Sequence, residues 1–566
     1  MNFDSTRRIR LIGWCILGAA LFIAVRLYFL QVVRANEFTE RADRRYAESA
    51  EFLFNRGSIF FTEKGGERVV AASQKNGFVL ALDATKITDA EAAYQILVPF
   101  ISLSREEFLT HAEKRIDTYK ELAHRLSLET ADSITALKIP GVVIAGERWR
   151  FYPGGVRAAQ ALGFVGYDGA RLVGRYGLER YYEDVLGKAH SSPYKNFFAE
   201  LIGAARGGTS TLSGSVVVGI EPSVQSYLEQ VLKSTASRFS SRETAGIVMN
   251  PKTGEIIAIA TVPSFDPNNF QKEKDWRVFV NPLVENVYEF GSIMKPLTMA
   301  AAIDAGVVTP ETVYDDRGFQ ELDGKTFYNF DKKARGEVSM QEVLSQSLNT
   351  GAAFVALKMG TEAFAKYLLS FGIGDETGID LPNEASGLVD NLKSPRQIEY
   401  ATASFGQGIA TTPIAMTRAL AALANKGTLP NPHLATRVSY DLGTFSFPSF
   451  GEPKRVLALE TAETVTRMLV KVVDTALLGG SKKLEHWSVA AKTGTAQIAK
   501  PISGGYYDDR FLHSFFGYFP AYEPRFIVFL YTVEPKSVSF ASHTLTDPFF
   551  DMAKFLLNYY AIPPDR

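Results

Sequence analysis

Cysteine is nearly absent: Cys15 is the only one in 566 residues. No internal disulfide and no cysteine-based zinc site can form, so packing alone must hold the fold. The seven histidines are scattered without metal-ligand spacing. Excess charge is missing too. Lys and Arg number 61 against 62 Asp and Glu, for a net charge of -1, which argues against a broad nucleic-acid surface. There is no solenoid period and no low-complexity tract. What remains is an ordinary globular composition, 46% hydrophobic and 22% charged, in a chain long enough for more than one domain.

One apolar run stands out. Leu11 to Val33 carries a single charge, Arg26, near one end, where a long side chain can reach the interface. At about 1.5 Å per residue the run can cross a bilayer. It resumes after Arg26 and is longer than a signal-peptide core, so an uncleaved anchor is expected over 11–33, with 1–10 as a cytoplasmic tail. Arg7, Arg8 and Arg10 precede the run and Arg34, Arg41, Arg44 and Arg45 follow it, so charge alone does not orient it.

Residues 34–215 carry mixed signals. Glu91 to Val98, Ala123 to Leu128, Ala158 to Gly163 and Leu178 to Leu186 read as helices, and Gly141 to Ile144 as a strand. From Glu221 to Phe239 the apolar spacing is helical, with Pro222 near the start. A hairpin follows: Thr244 to Met249, a turn at Asn250 to Gly254, and Glu255 to Ala260. Helical patterns cover Leu297 to Val308, Ser339 to Leu357, Thr361 to Leu369 and Thr411 to Ala424. Strands are expected at His486 to Lys492, Ser514 to Tyr518 and Arg525 to Val533, and a closing helix at Pro548 to Tyr560. The order predicts an α+β domain with helices packed on an antiparallel sheet.

The chemistry lies in three short motifs. Ser292-x-x-Lys295 heads the apolar helix, and residues three apart share a helix face. A serine needs an adjacent base, and a lysine serves only if burial or a nearby cation keeps it neutral. Ser347-Leu348-Asn349 reads as the middle of a helix, and Lys492-Thr493-Gly494-Thr495 follows a strand-like run. Each is weak alone. Ser192-x-x-Lys195 is a second match to the first motif, and Lys252-Thr253-Gly254, in the hairpin turn, a second match to the last. Order and context select the set Ser292, Lys295, Ser347, Asn349 and Lys492, which are the motifs of penicillin-recognising serine enzymes.

The chain resembles the class B, monofunctional penicillin-binding proteins, membrane-anchored D,D-transpeptidases of peptidoglycan synthesis. Further stretches carry the likeness: Arg56-Gly57-x-Ile59, Arg150-x-Tyr152-Pro153, Leu162 to Gly166, Gly174-x-x-Gly177-Leu178-Glu179, Val248 to Ile256, Pro263 to Asn268, Ser404 to Ile409, Ala424 to Gly427 and Phe516 to Ala521. Two places depart from the family pattern. Phe61 and Thr62 stand where an acidic residue and an arginine are usual, and Phe290 replaces the proline of Glu-Pro-Gly-Ser. The resemblance implies a membrane-proximal pedestal (dimerisation-type) module over 34–215, a linker helix over 216–242 and a transpeptidase domain over 243–562.

It also implies roles. Ser292 attacks the penultimate D-Ala carbonyl of a stem peptide, and Lys295, kept neutral by Lys492 and burial, takes its proton. Ser347 relays a proton to the leaving D-Ala, while Asn349 orients Lys295 and the substrate. The N–H groups of Ser292 and Thr495 form the oxyanion hole. Lys492, Thr493, Gly494 and Thr495 form the subsite for the terminal carboxylate. No metal or organic cofactor is required. The partner implied is a polytopic membrane glycosyltransferase within a cell-wall synthesis complex, with the catalytic domain outside the plasma membrane of a bacterium. Septal synthesis is favoured over side-wall elongation. A β-lactamase would need a deacylating base, and no Glu-x-x-Leu-Asn loop follows Asn349; a sensor would keep the fold without turnover.

Overall fold

The computed structural model describes residues 55–566 apart from 114–118, 170, 188–212, 442 and 501–503. The expected anchor at 11–33 and the second Ser-x-x-Lys at Ser192 lie outside the described residues. Among the described residues no helix is long and apolar enough to cross a membrane.

The chain divides into two units. The smaller contains Gln74–Trp149 and packs the helices Ala90–Leu97, Arg105–Glu113 and Leu128–Ala136 through buried Leu97, Phe108 and Ile134. Asp89 and Ser127 cap two of these helices by accepting backbone N–H groups. The helix expected at Ala123 to Leu128 is instead a strand, Lys120–Leu126, paired with Phe78 to Leu82. Arg125 at φ 60 and the Ser127 cap explain this: a helix cannot run through the first and begins after the second.

The larger unit gathers Arg56–Ser73 with the described residues of Arg150–Ala189 and Pro193–Arg566. Its centre is a five-stranded antiparallel sheet of β1 (Glu243–Met249), β2 (Ile256–Val262), β3 (Ala490–Ala499), β4 (Tyr506–Phe519) and β5 (Phe526–Val533), in the order β3-β4-β5-β1-β2. All eight residues of β5 are buried, and such a strand is apolar throughout because both faces are covered. Phe526, Val528 and Leu530 meet α1 (Pro222–Phe239) and the closing helix Thr546–Tyr559. Ile527, Phe529 and Tyr531 face the second helical layer, which includes α2 (Lys295–Asp304). Helix α1 is preceded by a strand, Gly214–Val218, so the linker expected over 216–242 is helical only from Pro222.

A buried ion cluster occupies another part of this unit. Glu179 Oε2 accepts from Arg56 Nε at 2.6 Å, and its Oε1 accepts from Arg150 Nε at 2.6 Å and from the Tyr152 hydroxyl at 3.2 Å. Arg150 also donates to Gly57 O at 2.7 Å, and Arg56 to Glu183 Oε2 at 2.7 Å. Burial pushes the Glu179 carboxyl up, but Arg150 and Arg56 outweigh it and hold it below its ordinary value. Three separate sequence signatures thus converge on one charge cluster. Phe61 is 1% exposed, in the core, and Thr62 donates to Val218 O at 2.8 Å, so both departures near Arg56 have structural partners of their own.

Candidate active site

Ser292 sits in a tight 3-10 turn, Gly291–Met294, that runs into α2. The turn needs glycine at 291: φ is 65, and a Cβ there would lie 2.8 Å from Thr495 O. One turn on, Lys295 is 1% exposed. Its Nζ lies 2.9 Å from Ser292 Oγ, 2.6 Å from Ser347 O, 2.8 Å from Asn349 Oδ1 and 3.2 Å from Ser347 Oγ. Burial, and then the charge of Lys492, hold Lys295 well below its ordinary value. The order of causes matters: burial comes first and the second lysine adds to it.

Ser347 is not in the middle of a helix. It lies in the break between α3 (Met340–Ser345) and α4 (Asn349–Met359), in the left-handed region at φ 56. A continuous helix would point the Ser347 carbonyl along its own axis. The break turns that carbonyl onto Lys295. Sparse backbone conformations of this kind persist only where surroundings impose them. On the far side, Lys492 Nζ donates to Ser347 Oγ at 3.0 Å and to Thr493 O at 3.0 Å, and burial lowers Lys492 to about 7. Ser347 Oγ therefore touches both amines.

The third motif opens β3 rather than ending a strand, since β3 begins at Ala490. It is the sheet's edge strand. Thr493 and Thr495, two residues apart, share a face and line a cleft of about 700 Å³ with Ser292, Ser347, Asn349 and Lys492. Exposed Phe330 and Phe540 stand in the same cleft, with ring centroids 5.7 Å apart. Gly494 does not line it. A Cβ there would lie 2.3 Å from Ser514 Oγ and 2.4 Å from Phe290 O, so glycine admits the nucleophile turn against the strand.

A model of the penicillin binding protein transpeptidase domain matches residues 244–553, and one of the penicillin-binding protein dimerisation domain matches 55–196. The chain belongs to the penicillin-binding protein transpeptidase family. It is 29% identical over 559 residues to stage V sporulation protein D of Bacillus subtilis, covering 96% of this chain and 84% of that protein. It is 26% identical over 560 residues to the peptidoglycan D,D-transpeptidase FtsI of Escherichia coli, covering 97% and 91%. A crystal structure of penicillin-binding protein 3 from Mycobacterium tuberculosis in its apo form superposes with a TM-score of 0.66 at 27% identity, covering 74% of this chain and 92% of that one. Having both domains, this penicillin-binding protein is of class B, and its activity is that of a peptidoglycan D,D-transpeptidase.

Three supporting residues had no signal in the sequence. Asn329 Oδ1 accepts from the N–H of Asn349 at 2.9 Å and the N–H of Thr350 at 3.2 Å, and lies 3.0 Å from the Thr350 hydroxyl oxygen. Asp316 Oδ1 accepts from Asn329 Nδ2 at 2.9 Å and from the Thr350 hydroxyl at 2.7 Å. All three are buried. They fix the first turn of α4, and Asn349 Nδ2 is held by Tyr328 O at 2.9 Å. Thr495 Oγ1 accepts from Ala541 N–H at 3.1 Å, which leaves its own proton free to donate into the cleft.

Glu289, just before the nucleophile turn, had no chemical signal of its own in the sequence. Its Oε1 accepts from Gly408 N–H at 3.1 Å and the Tyr506 hydroxyl at 3.3 Å, and its Oε2 is buried without a partner. Burial pushes this carboxyl up to about 7.

Proposed function

We propose that Ser292 is the acylated nucleophile and Lys295 its base. The observation that carries this is the partner set of Lys295 Nζ. A neutral amine has two N–H donors and one lone pair. The carbonyl oxygens Ser347 O and Asn349 Oδ1 can only accept, so they take the two donors. The lone pair is left for the Ser292 hydroxyl at 2.9 Å. Ser292 Oγ then bonds to the penultimate D-Ala carbonyl carbon as its proton passes to Lys295. The C–N bond to the terminal D-Ala breaks, and Ser347 hands the leaving nitrogen a proton, drawing on either lysine. An acceptor amine from a second stem peptide attacks the ester, and Ser292 recovers its proton.

The oxyanion hole is formed by the N–H groups of Ser292 and Thr495. Thr495 O faces Gly291, and the N–H and C=O of one strand residue point to the same side. The Thr495 N–H thus faces the nucleophile turn from an unpaired sheet edge. Lys492 with the Thr493 and Thr495 hydroxyls receives the terminal carboxylate.

The apolar run 11–33 acts as a single anchor that leaves the catalytic unit outside the bacterial plasma membrane. A polytopic membrane glycosyltransferase supplies the glycan. Septal synthesis fits the FtsI-named relatives.

Labelling with a fluorescent penicillin tests the chemistry. A stable adduct on the wild-type chain, absent from Ser292→Ala, is expected; undiminished labelling of that variant refutes the assignment. The anchor helix and the module before residue 215 are assigned the contact with that glycosyltransferase; unchanged co-purification after replacing residues 11–50 counts against this.

A further inference from the structure

A second groove, of about 440 Å³, lies in the larger unit and shares no residue with the catalytic cleft. Trp276 stands in it, 64% exposed. An indole so exposed forgoes the burial that its size would otherwise bring. Around it are Arg175, Arg180, Asp168, Glu285 and Asn383. Some of these are already positioned: Arg175 donates to Asp168 Oδ1 at 3.1 Å, and Asn383 Nδ2 to Glu285 Oε2 at 3.2 Å.

The hairpin of Val165–Asp168 and Arg171–Gly174 lies beside an aromatic cluster: a Cβ on Gly166 would be 3.6 Å from the Phe164 ring and 3.7 Å from that of Phe270. Phe164 stacks on Phe270 at 4.1 Å and meets Phe279 at 4.9 Å and Tyr176 at 5.3 Å.

The charges select the ligand. Two guanidinium groups face two carboxylates, so the groove favours neither a polyanion nor a polycation. Planar guanidinium, carboxylate and amide groups donate to and accept from neighbouring hydroxyls in pairs. The negative face of an indole attracts weakly positive C–H groups. A neutral ring with one C–H face and a rim of hydroxyl and amide groups satisfies both sets. The volume lies within the range of small-ligand sites, about 300–1,000 Å³.

We propose that this groove binds the amino-sugar glycan strand of peptidoglycan, with Trp276 stacked on a sugar ring and Arg180 and Asn383 on its polar rim. The site holds the polymer while the cleft acts on its stem peptides. It rests on the peptidoglycan activity of the chain and not on the assignment of Ser292.

The test uses the full chain in detergent micelles. Two probes are titrated, followed by tryptophan fluorescence and calorimetry: a β-1,4-linked N-acetylglucosamine hexamer, and peptidoglycan strands stripped of stem peptides by an amidase, with the freed lactyl carboxylates capped as amides so that the strands stay neutral. Saturable binding of both by wild type and Ser292→Ala is expected. Trp276→Ala should bind at least about tenfold more weakly, the scale of losing an aromatic anchor, and Trp276→Phe should recover part of the loss. Penicillin labelling of Trp276→Ala should equal wild type, which shows that the fold is intact. Absence of saturable binding by wild type overturns the proposal. So does equal binding by Trp276→Ala, or displacement of the strands by a polyglutamate peptide, which would make the groove a peptide site. Failure of penicillin labelling in wild type would instead strike the Ser292 assignment.

Discussion

Replacing Lys492 with methionine separates the two reasons for Lys295 to be neutral. The Lys295 and Lys492 Nζ atoms lie 3.2 Å and 3.0 Å from the same Ser347 Oγ, so they are at most about 6 Å apart. Two unit charges at that separation repel by about 3 kcal/mol at an effective dielectric constant of about 20, or about two pK units. Lys492 is itself lowered to about 7, so it carries its charge mainly below neutral pH. There it opposes protonation of Lys295 and preserves the base. Without it, Lys295 protonates more readily and its pKa rises. The base is then lost at a higher pH, and the acid limb of the acylation profile moves up by as much as two pH units. Burial of Lys295 persists in the variant, so the alkaline plateau survives. Lost anchoring of the substrate carboxylate lowers the rate at every pH, a vertical drop distinct from the lateral shift. Stopped-flow acylation by a fluorescent penicillin from about pH 5 to about pH 9 reads both. A vertical drop with the acid limb unmoved would refute the electrostatic role of Lys492 and leave burial as the sole cause.

Asn329→Ala removes the acceptor of two backbone N–H groups at the start of α4, while the Thr350 hydroxyl keeps Asp316; each N–H left without a partner costs about 1–3 kcal/mol, and acylation should slow more than tenfold while circular dichroism stays native. Glu289→Gln should stabilise the protein above neutral pH. With its folded-state value raised to about 7, Glu289 contributes stability fully present below its unfolded value and lost as pH rises through 7. The difference in denaturant stability between variant and wild type should therefore be near zero at pH 4 and about 3 kcal/mol at pH 8; equal stability at both would count against it. Glu179→Gln leaves Arg150, buried at 7% exposure, without its counter-charge and Arg56 with Glu183 alone, and a loss of about 3–5 kcal/mol in urea unfolding is expected.

The residue types of the site were legible because chemistry fixes them at short spacing: a serine needs its lysine one turn away, wherever the helix sits. The strand β5 was legible too, since a run buried on both faces reads as uninterrupted apolar residues. The break at Ser347 was not. Apolar spacing continues across Ser339 to Leu357, and nothing local demands a left-handed serine there. The conformation is imposed by partners distant in sequence, among them Asn329 and Lys295. The same holds for the start of β3. Ala490 to Ala499 carries glycine and small residues that weaken a strand pattern, and only pairing with Tyr506–Phe519 makes it one. The pedestal signatures were visible as motifs, but their reason, one carboxylate shared by two arginines, needed three dimensions.

Phe290 shows how a departure from pattern can preserve function by other means. Proline stiffens a chain by fixing φ near -65. Phe290 has φ -94 and ψ -4, in the bridge region, and no ring closure to hold it. It is 1% exposed, with its ring edge-on to Phe529 at 5.2 Å and 5.9 Å from Tyr288. Tyr288 and Tyr531 both donate to Glu243 Oε1 at 2.7 Å, which pins the walls of that pocket. Its carbonyl accepts from Ser514 Oγ at 2.9 Å, in space that only a glycine at 494 leaves open. The next residue, Gly291, donates to Gly406 O at 3.1 Å. A covalent restraint on one dihedral is thus replaced by side-chain packing and two hydrogen bonds from three separate segments. Stiffness at the nucleophile then depends on the core beneath it, so substitutions at Phe529, Tyr531 or Ser514, none of which lines the cleft, act on the reaction through the position of Ser292.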